Sequence, residues 1–149
     1  MKIIYPVPVI CLLLTCFLAC RKDAKPPVPV AIAGKWYVQQ YKLTNYVNGS
    51  YESSTTTPRG WFTDSDYYQL YTDGSGIESQ ADPAIGKTSF SFHVLNSSVF
   101  FSRPLRFLSS DTSVYSMPSG DQLILKDSYT QQSTTGNTYK TIEEVDLSK

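Results

Sequence analysis

The chain has 149 residues, with 13 Lys/Arg balanced by 13 Asp/Glu, one His and three Cys. From residue 33 onward there are nine Lys/Arg and twelve Asp/Glu without a basic run, which argues against nucleic acid as a partner. His93 is the only histidine and no cysteine follows Cys20, so a zinc site with mixed His/Cys ligands cannot form there. The sequence therefore predicts no metal site and no cofactor.

The N-terminal segment has the organisation of a secretory signal peptide. Lys2 supplies the charged start, residues 9–18 form an apolar run, and Ala19 is the small residue that ends it. The apolar stretch is shorter than the roughly 20 residues that a membrane-spanning helix needs. Residues 1–19 are therefore predicted to be a signal peptide that is removed.

Residues 17–20, Phe-Leu-Ala-Cys, resemble a bacterial lipobox. The resemblance implies that signal peptidase II cuts after Ala19 and that Cys20 becomes lipidated; ordinary secretion with a coincidental cysteine is the alternative. Two or more acyl chains suffice for stable attachment to a membrane, and the Arg and Lys residues that follow would attract anionic headgroups. The expected location is the cell envelope, anchored in the outer membrane, with the periplasmic and surface faces both open.

A proline-rich tether separates this anchor from the rest of the chain. Residues 25–31, KPPVPVA, contain three prolines and are expected to be stiff and extended. Residues 20–32 are thus predicted to be the lipidated N-terminus and tether. Residues 33–149 are predicted to be one monomeric domain, large enough for a single core and without an internal disulfide, because Cys20 is the only cysteine left after cleavage.

The domain is predicted to be all-β. Eleven Tyr and seven Phe, with many Thr and Val, favour strands, and turn signals recur at residues 48–49, 73–76, 96–97, 118–121 and 136–137. Eight or nine strands joined mostly by tight turns predict an antiparallel up-and-down meander, whose edges disappear if it closes into a barrel. A β-sandwich also fits the alternation, but only residues 55–66 and 104–112 could supply its longer crossovers.

Four motifs in order resemble the lipocalin-like lipoproteins of Bacteroidota-type bacteria. Gly34-Lys35-Trp36 stands where the lipocalin G-x-W opens the first strand, and it is followed by YQLYTDGSG (residues 68–76), TSFSFHVLNSSVFFS (residues 88–102) and DQLILKD (residues 121–127). The resemblance implies a lipocalin-like barrel of eight or nine strands with Gly34 and Trp36 at its closed end. It also implies a cation packed across the tryptophan, which Lys126 or Lys140 would have to supply here because no arginine follows Arg106.

Catalytic constellations are not evident. His93 lies mid-strand without a nucleophile-elbow pattern nearby. A glycosidase needs two carboxylates that face each other across a cleft, whereas the pairs Asp64/Asp66 and Glu143/Glu144 are expected to be solvated, in a loop and on opposite strand faces. The sequence therefore predicts that the protein is not an enzyme.

Aromatic residues concentrate at and after the longest loop. Trp61, Phe62 and Tyr67 are candidates for a rim at the barrel mouth that contacts a ligand, with ordinary core and loop packing as the alternative. The leading hypothesis is a lipid-anchored, non-catalytic module that binds a small apolar or amphipathic ligand. The alternative hypothesis is a surface module that binds glycans or interacts with the envelope, with Trp61 stacking on sugar rings.

Overall fold

Nine antiparallel strands form the domain in the computed structural model, which describes residues 28–149. The strands are β1 (Gly34–Val47), β2 (Ser50–Pro58), β3 (Tyr67–Leu70), β4 (Ser75–Ser79), β5 (Lys87–Leu95), β6 (Ser98–Phe101), β7 (Thr112–Ser119), β8 (Gln122–Gln132) and β9 (Thr138–Ser148). One 3₁₀ turn, Arg59–Trp61, follows β2, and the described residues contain no α-helix.

The sheet closes because β1 has partners on both edges. Along one edge it pairs with β9 from Tyr37 to Val47. Along the other edge its first residues, from Gly34 to Tyr37, pair with β3. Strands β3 to β9 then pair in chain order, so eight strands form a closed antiparallel barrel. The predicted all-β meander barrel is confirmed.

The remaining strand, β2, lies outside the closed barrel. It pairs with β1 only from Gln40 onward, beyond the stretch that meets β3, and β8 beyond Lys126 runs beside β9 alone. The upper parts of β1, β8 and β9 therefore continue past the barrel, with β2, as a four-stranded sheet. We call this the sheet extension (β2 with residues 40–47, 127–132 and 138–144).

The turns follow the local sequence. Asn48 and Gly49 both have positive φ, 49° and 82°, as a type I′ turn requires, and they join β1 to β2 as predicted. Asn96 occupies the equivalent left-handed position in the tight β5–β6 turn, with φ 55°. Asn and Gly tolerate this region better than other residues do.

Apolar side chains fill the barrel. The fully buried residues include Trp36, Phe92 and Val99, and Phe90, Phe92 and Phe101 form a cluster with ring centroids 5.7 to 6.5 Å apart. Phe90, Phe92 and Val94 face inward together, which confirms the alternation read from the sequence. Every member of this core is at most 9% exposed.

The end of the barrel at which β1 begins, which we call the base, is closed by the N-terminal segment. Val28 and Ile32 are buried in the core, so packing begins within the stretch predicted as a tether. The Trp36 indole N–H donates to the Ile32 carbonyl at 2.8 Å, and the Lys149 ammonium lies 4.4 Å from the Trp36 ring centroid. The expectation that Lys126 or Lys140 covers Trp36 was wrong, because both lie on strand faces outside the barrel.

The opposite end, the top, is covered by two loops. Leu105 and Leu108 of the β6–β7 loop (residues 102–111) are buried at 3% exposure each. Phe107 of that loop contacts Tyr41 on β1 and Phe62 from the β2–β3 loop, with centroids 5.0 and 5.4 Å apart. Of the two stretches that could have supplied sandwich crossovers, residues 59–66 and 104–111 therefore serve as lids, and residues 55–58 belong to β2.

Candidate functional site

Four buried carboxylates hold the β6–β7 loop over the top of the barrel. They come from four different places in the chain, the β2–β3 loop and strands β4, β8 and β9, and none is more than 6% exposed; they are Asp66, Glu78, Asp127 and Glu143. The prediction that Asp66 and Glu143 are solvated was therefore wrong, whereas Asp64 is exposed. Backbone N–H groups of the loop must find acceptors when they are buried, and these carboxylates supply them.

Asp66 and Glu78 bind the arginine half of the loop. Asp66 accepts hydrogen bonds from the Thr63 N–H at 2.8 Å and from the Arg106 guanidinium at 2.8 Å. Glu78 accepts from the Arg106 N–H at 2.6 Å and forms an ion pair with Arg103 at 2.8 Å, at an angle that falls short of a hydrogen bond. Burial alone would raise the pKa of Asp66, but its hydrogen bonds and Arg106 outweigh burial and hold the pKa below its usual range.

Glu143 and Asp127 bind the serine half of the loop. Glu143 accepts from the Ser109 N–H at 2.6 Å and from the Ser109 hydroxyl at 3.0 Å. Asp127 accepts from the Ser110 N–H at 2.7 Å, but burial dominates its environment, and its pKa is raised. The phenol of Tyr41 donates to Glu143 at 3.2 Å, and burial together with this carboxylate raises the pKa of Tyr41.

These contacts give the carboxylates a structural role. Each accepts at least one hydrogen bond from the β6–β7 loop, from Arg106, Ser109 or Ser110, so none is presented as a free acid or base. Within residues 28–149, no group of three or more His, Cys, Asp or Glu is placed to hold a metal ion. His93 lies on β5 and stacks on Phe100 with a centroid distance of 4.8 Å, away from the carboxylates of the top.

The predicted rim residues are separated rather than gathered at a mouth. Trp61 is 79% exposed in the 3₁₀ turn, whereas Phe62 is buried beneath Phe107. Tyr67 lies on β3 with the Lys35 ammonium 3.9 Å from its ring centroid. Of the three, Trp61 alone presents most of its side chain to solvent, and Cys20, the predicted lipidation site, lies outside the described residues.

An extended depression lies on the outer face of the sheet extension and was not foreseen from the sequence. Three adjoining hollows of about 450, 320 and 280 Å³ share Lys126, Lys140, Ile142 and Tyr46 among their lining residues. We call this surface the outer groove (strand residues 42, 44, 46, 51, 54, 114, 126, 128, 140, 142 and 144).

Strand register organises the groove into three rows. Lys42, Glu144 and Lys126 lie opposite one another across β1, β9 and β8. The next row is Ser54, Thr44, Ile142 and Ser128, and the third is Tyr51, Tyr46, Lys140 and Thr130. Such a surface offers cations, hydroxyls and aromatic faces together.

Comparisons with known proteins add no relative. A scan against protein-family models, a search of curated proteins and a search of solved structures each found no match. No helix in residues 28–149 has the length and apolar character needed to cross a membrane.

Proposed function

We propose that the protein is a lipid-anchored, non-catalytic lipoprotein of the cell envelope, held in the outer membrane by acyl chains on Cys20. The lipobox-like residues 17–20 and the signal-like segment before them support the anchor. The four motifs that resemble lipocalin-like lipoproteins support membership of that family. In this proposal a monomeric barrel acts as a rigid module that binds its ligand on the outside.

The filled interior of the barrel is the observation that supports a binding site on its outer surface. A barrel of eight strands either fills with side chains or leaves room for one small ligand. A cavity that admits a ligand would be lined by side chains with accessible surface. Large inward-facing side chains from β1, β5, β6, β8 and β9 are instead at most 1% exposed; they are Trp36, Phe92, Val99, Leu123, Leu125 and Val145. Both ends are also covered, by Ile32 at the base and by the β6–β7 loop at the top. A small apolar or amphipathic ligand would need this core to separate, so a module for glycans or envelope components fits the geometry better.

Binding is tested with the full chain in detergent micelles. Affinity electrophoresis through gels that contain envelope or other polysaccharides should retard the protein. Titration with fluorescent fatty-acid, retinoid-like and haem-like probes should give no saturable signal. Saturable binding of any of these probes, without retardation by any polysaccharide, would restore the carrier hypothesis and contradict ours.

The anchor has its own test. Changing Cys20→Ser should abolish incorporation of radiolabelled palmitate and release the protein from membranes, while Cys16→Ser should change neither. A Cys20→Ser protein that stays labelled and membrane-bound would show that the anchor lies elsewhere.

A further inference from the structure

We propose that the outer groove binds an acidic glycan, a polysaccharide that carries carboxylate or sulfate groups. This rests on the proposed glycan-binding function and adds to it a site and a ligand class. The groove crosses five neighbouring strands, which lie in the order β2, β1, β9, β8 and β7. At a spacing of about 4.8 Å between strands, the groove is about 19 Å long. That length suits several sugar units of a chain better than it suits a small molecule.

Charge distinguishes the groove from the rest of the domain. Residues 33–149 carry a net charge of −3, whereas the hollows of the groove are lined by three ammonium groups, those of Lys42, Lys126 and Lys140, and by two carboxylates, those of the outward-facing Glu144 and the buried Asp127. Lys126 pairs with Glu144 at 2.9 Å. Lys140 forms no ion pair with any described residue and lies between Tyr46 and Thr130 across the strands. A local excess of ammonium groups on an acidic domain favours an anionic ligand.

The neighbours of these lysines suit sugar rings. Ser128 presents a hydroxyl that can donate and accept hydrogen bonds, and the hydroxyls of Thr44 and Ser54, which hydrogen-bond to each other at 3.3 Å, keep further acceptor capacity. Tyr51 is 63% exposed and stands edge-to-face with Tyr46, 6.1 Å between centroids, which leaves an amphipathic ring at the tip of the groove. Glu144 can accept hydrogen bonds from sugar hydroxyls, which a DNA backbone does not offer, so the groove fits a glycan better than DNA.

The position of the groove also fits a ligand outside the membrane. Eight residue steps separate Cys20 from Val28, a span of about 28 Å at most when fully extended. Because Val28 is buried in the core near the base, an anchor on Cys20 keeps the base close to the bilayer. The 14 residues of β1 are about 45 Å long along the strand, which is tilted in the barrel, and they carry the groove away from that base toward the far end.

The test compares polysaccharides of different charge on the full chain in detergent micelles. Alginate supplies carboxylates, dextran sulfate supplies sulfates, unmodified dextran is the neutral control, and single-stranded DNA tests the nucleic-acid alternative. We expect one of the two acidic polymers to retard the wild-type protein, with retardation that weakens as salt increases. Equal retardation by dextran, or stronger binding of DNA than of both acidic polymers, would overturn the inference.

Variants locate the site. Lys42→Gln with Lys140→Gln should raise the dissociation constant for the acidic polymer about two- to thirtyfold, as the loss of two exposed ion pairs predicts. Lys87→Gln on β5 makes the same charge change away from the groove and should leave binding unchanged, and thermal unfolding checks that each variant is folded. Tyr51→Ala should weaken binding, whereas Trp61→Ala should not. If Trp61→Ala alone abolishes retardation, the groove is refuted but glycan binding stands; if no polysaccharide retards the chain, both proposals fail.

Discussion

Replacement of Gly34 by alanine tests how the base of the barrel is built. Gly34 has φ +142°, a conformation that residues with a side chain rarely adopt, and a Cβ there would lie 2.9 Å from Cε of Lys149. The backbone strain should cost about 1–3 kcal/mol. The flexible end of Lys149 can move aside, but it then leaves the Trp36 ring and forfeits a cation–π contact of about 0.5–1 kcal/mol.

The two contributions together predict that Gly34→Ala lowers the free energy of unfolding by about 1.5–4 kcal/mol. Denaturant titration followed by tryptophan fluorescence measures this, and near 4 °C per kcal/mol the melting temperature should fall by about 6–16 °C. Gly120→Ala is the matched control, because a Cβ added to Gly120 would have no neighbour within 4 Å and its φ is not positive. If Gly34→Ala lowers the free energy of unfolding by no more than Gly120→Ala does, the backbone at residue 34 does not require glycine.

A Lys149→Ala background separates the backbone strain at residue 34 from the loss of the cation–π contact. It removes the cation–π contact and the clash but leaves the backbone of Gly34 unchanged. In that background Gly34→Ala should still cost the 1–3 kcal/mol of backbone strain. If the cost disappears there, contact with Lys149 rather than φ is what requires glycine.

Two further changes test the core and the lid. Gly76→Ala should destabilise the domain by about 1–3 kcal/mol in denaturant titration, because a Cβ would lie 2.5 Å from Cε2 of the buried Phe90 ring, and a loss as small as that of Gly120→Ala would contradict this packing. Asp66→Asn should cost about 1–3 kcal/mol at pH 7. Because the folded pKa of Asp66 is lowered, its contribution is present above its unfolded pKa and is lost as pH falls through the folded value, so the difference from wild type should shrink between about pH 5 and pH 2. Asp64→Asn is the control, because Asp64 is exposed. If the difference in unfolding free energy between Asp66→Asn and wild type does not change with pH, the ionised carboxylate is not its source.

Local patterns in the sequence were enough to predict the barrel. Asn48-Gly49 predicts its own hairpin because both residues accept positive φ, and the alternation of Phe90, Phe92 and Val94 fixes which face of β5 is buried. These patterns do not say which strand pairs with each edge of another. That β1 changes partner from β3 to β2 along one edge depends on the shear of the closed barrel, and this change creates the sheet extension.

The buried carboxylates were missed for a related reason, although a signal was present. Asp127 continues the inward alternation of Leu123 and Leu125, and Glu143 continues that of Val145 and Leu147. Strand parity therefore placed both side chains on the inner face, and only the general preference of charged groups for solvent argued otherwise. Their donors belong to a loop that is distant in sequence, so the bonds that make burial tolerable become visible only once the loop is seen to fold over the top.

The same parity explains why the outer groove was not foreseen from the sequence. A bulge at Gln39 shifts the register of β1 against β9, so that inward positions change from even to odd residue numbers along β1. Trp36 and Val38 face the core below the bulge, while Lys42, Thr44 and Tyr46 face outward above it. One strand thus fills the barrel with its first half and exposes a lysine, a hydroxyl and a tyrosine with its second. Deleting Gln39 removes the extra residue of the bulge, so Val38 and Gln40 then pair with the consecutive residues Leu147 and Asp146, and Lys42 stays opposite Glu144 on the outer face. The deletion variant should therefore keep its retention by acidic polysaccharides. Loss of that retention in a folded deletion variant would contradict the assignment of faces from strand register.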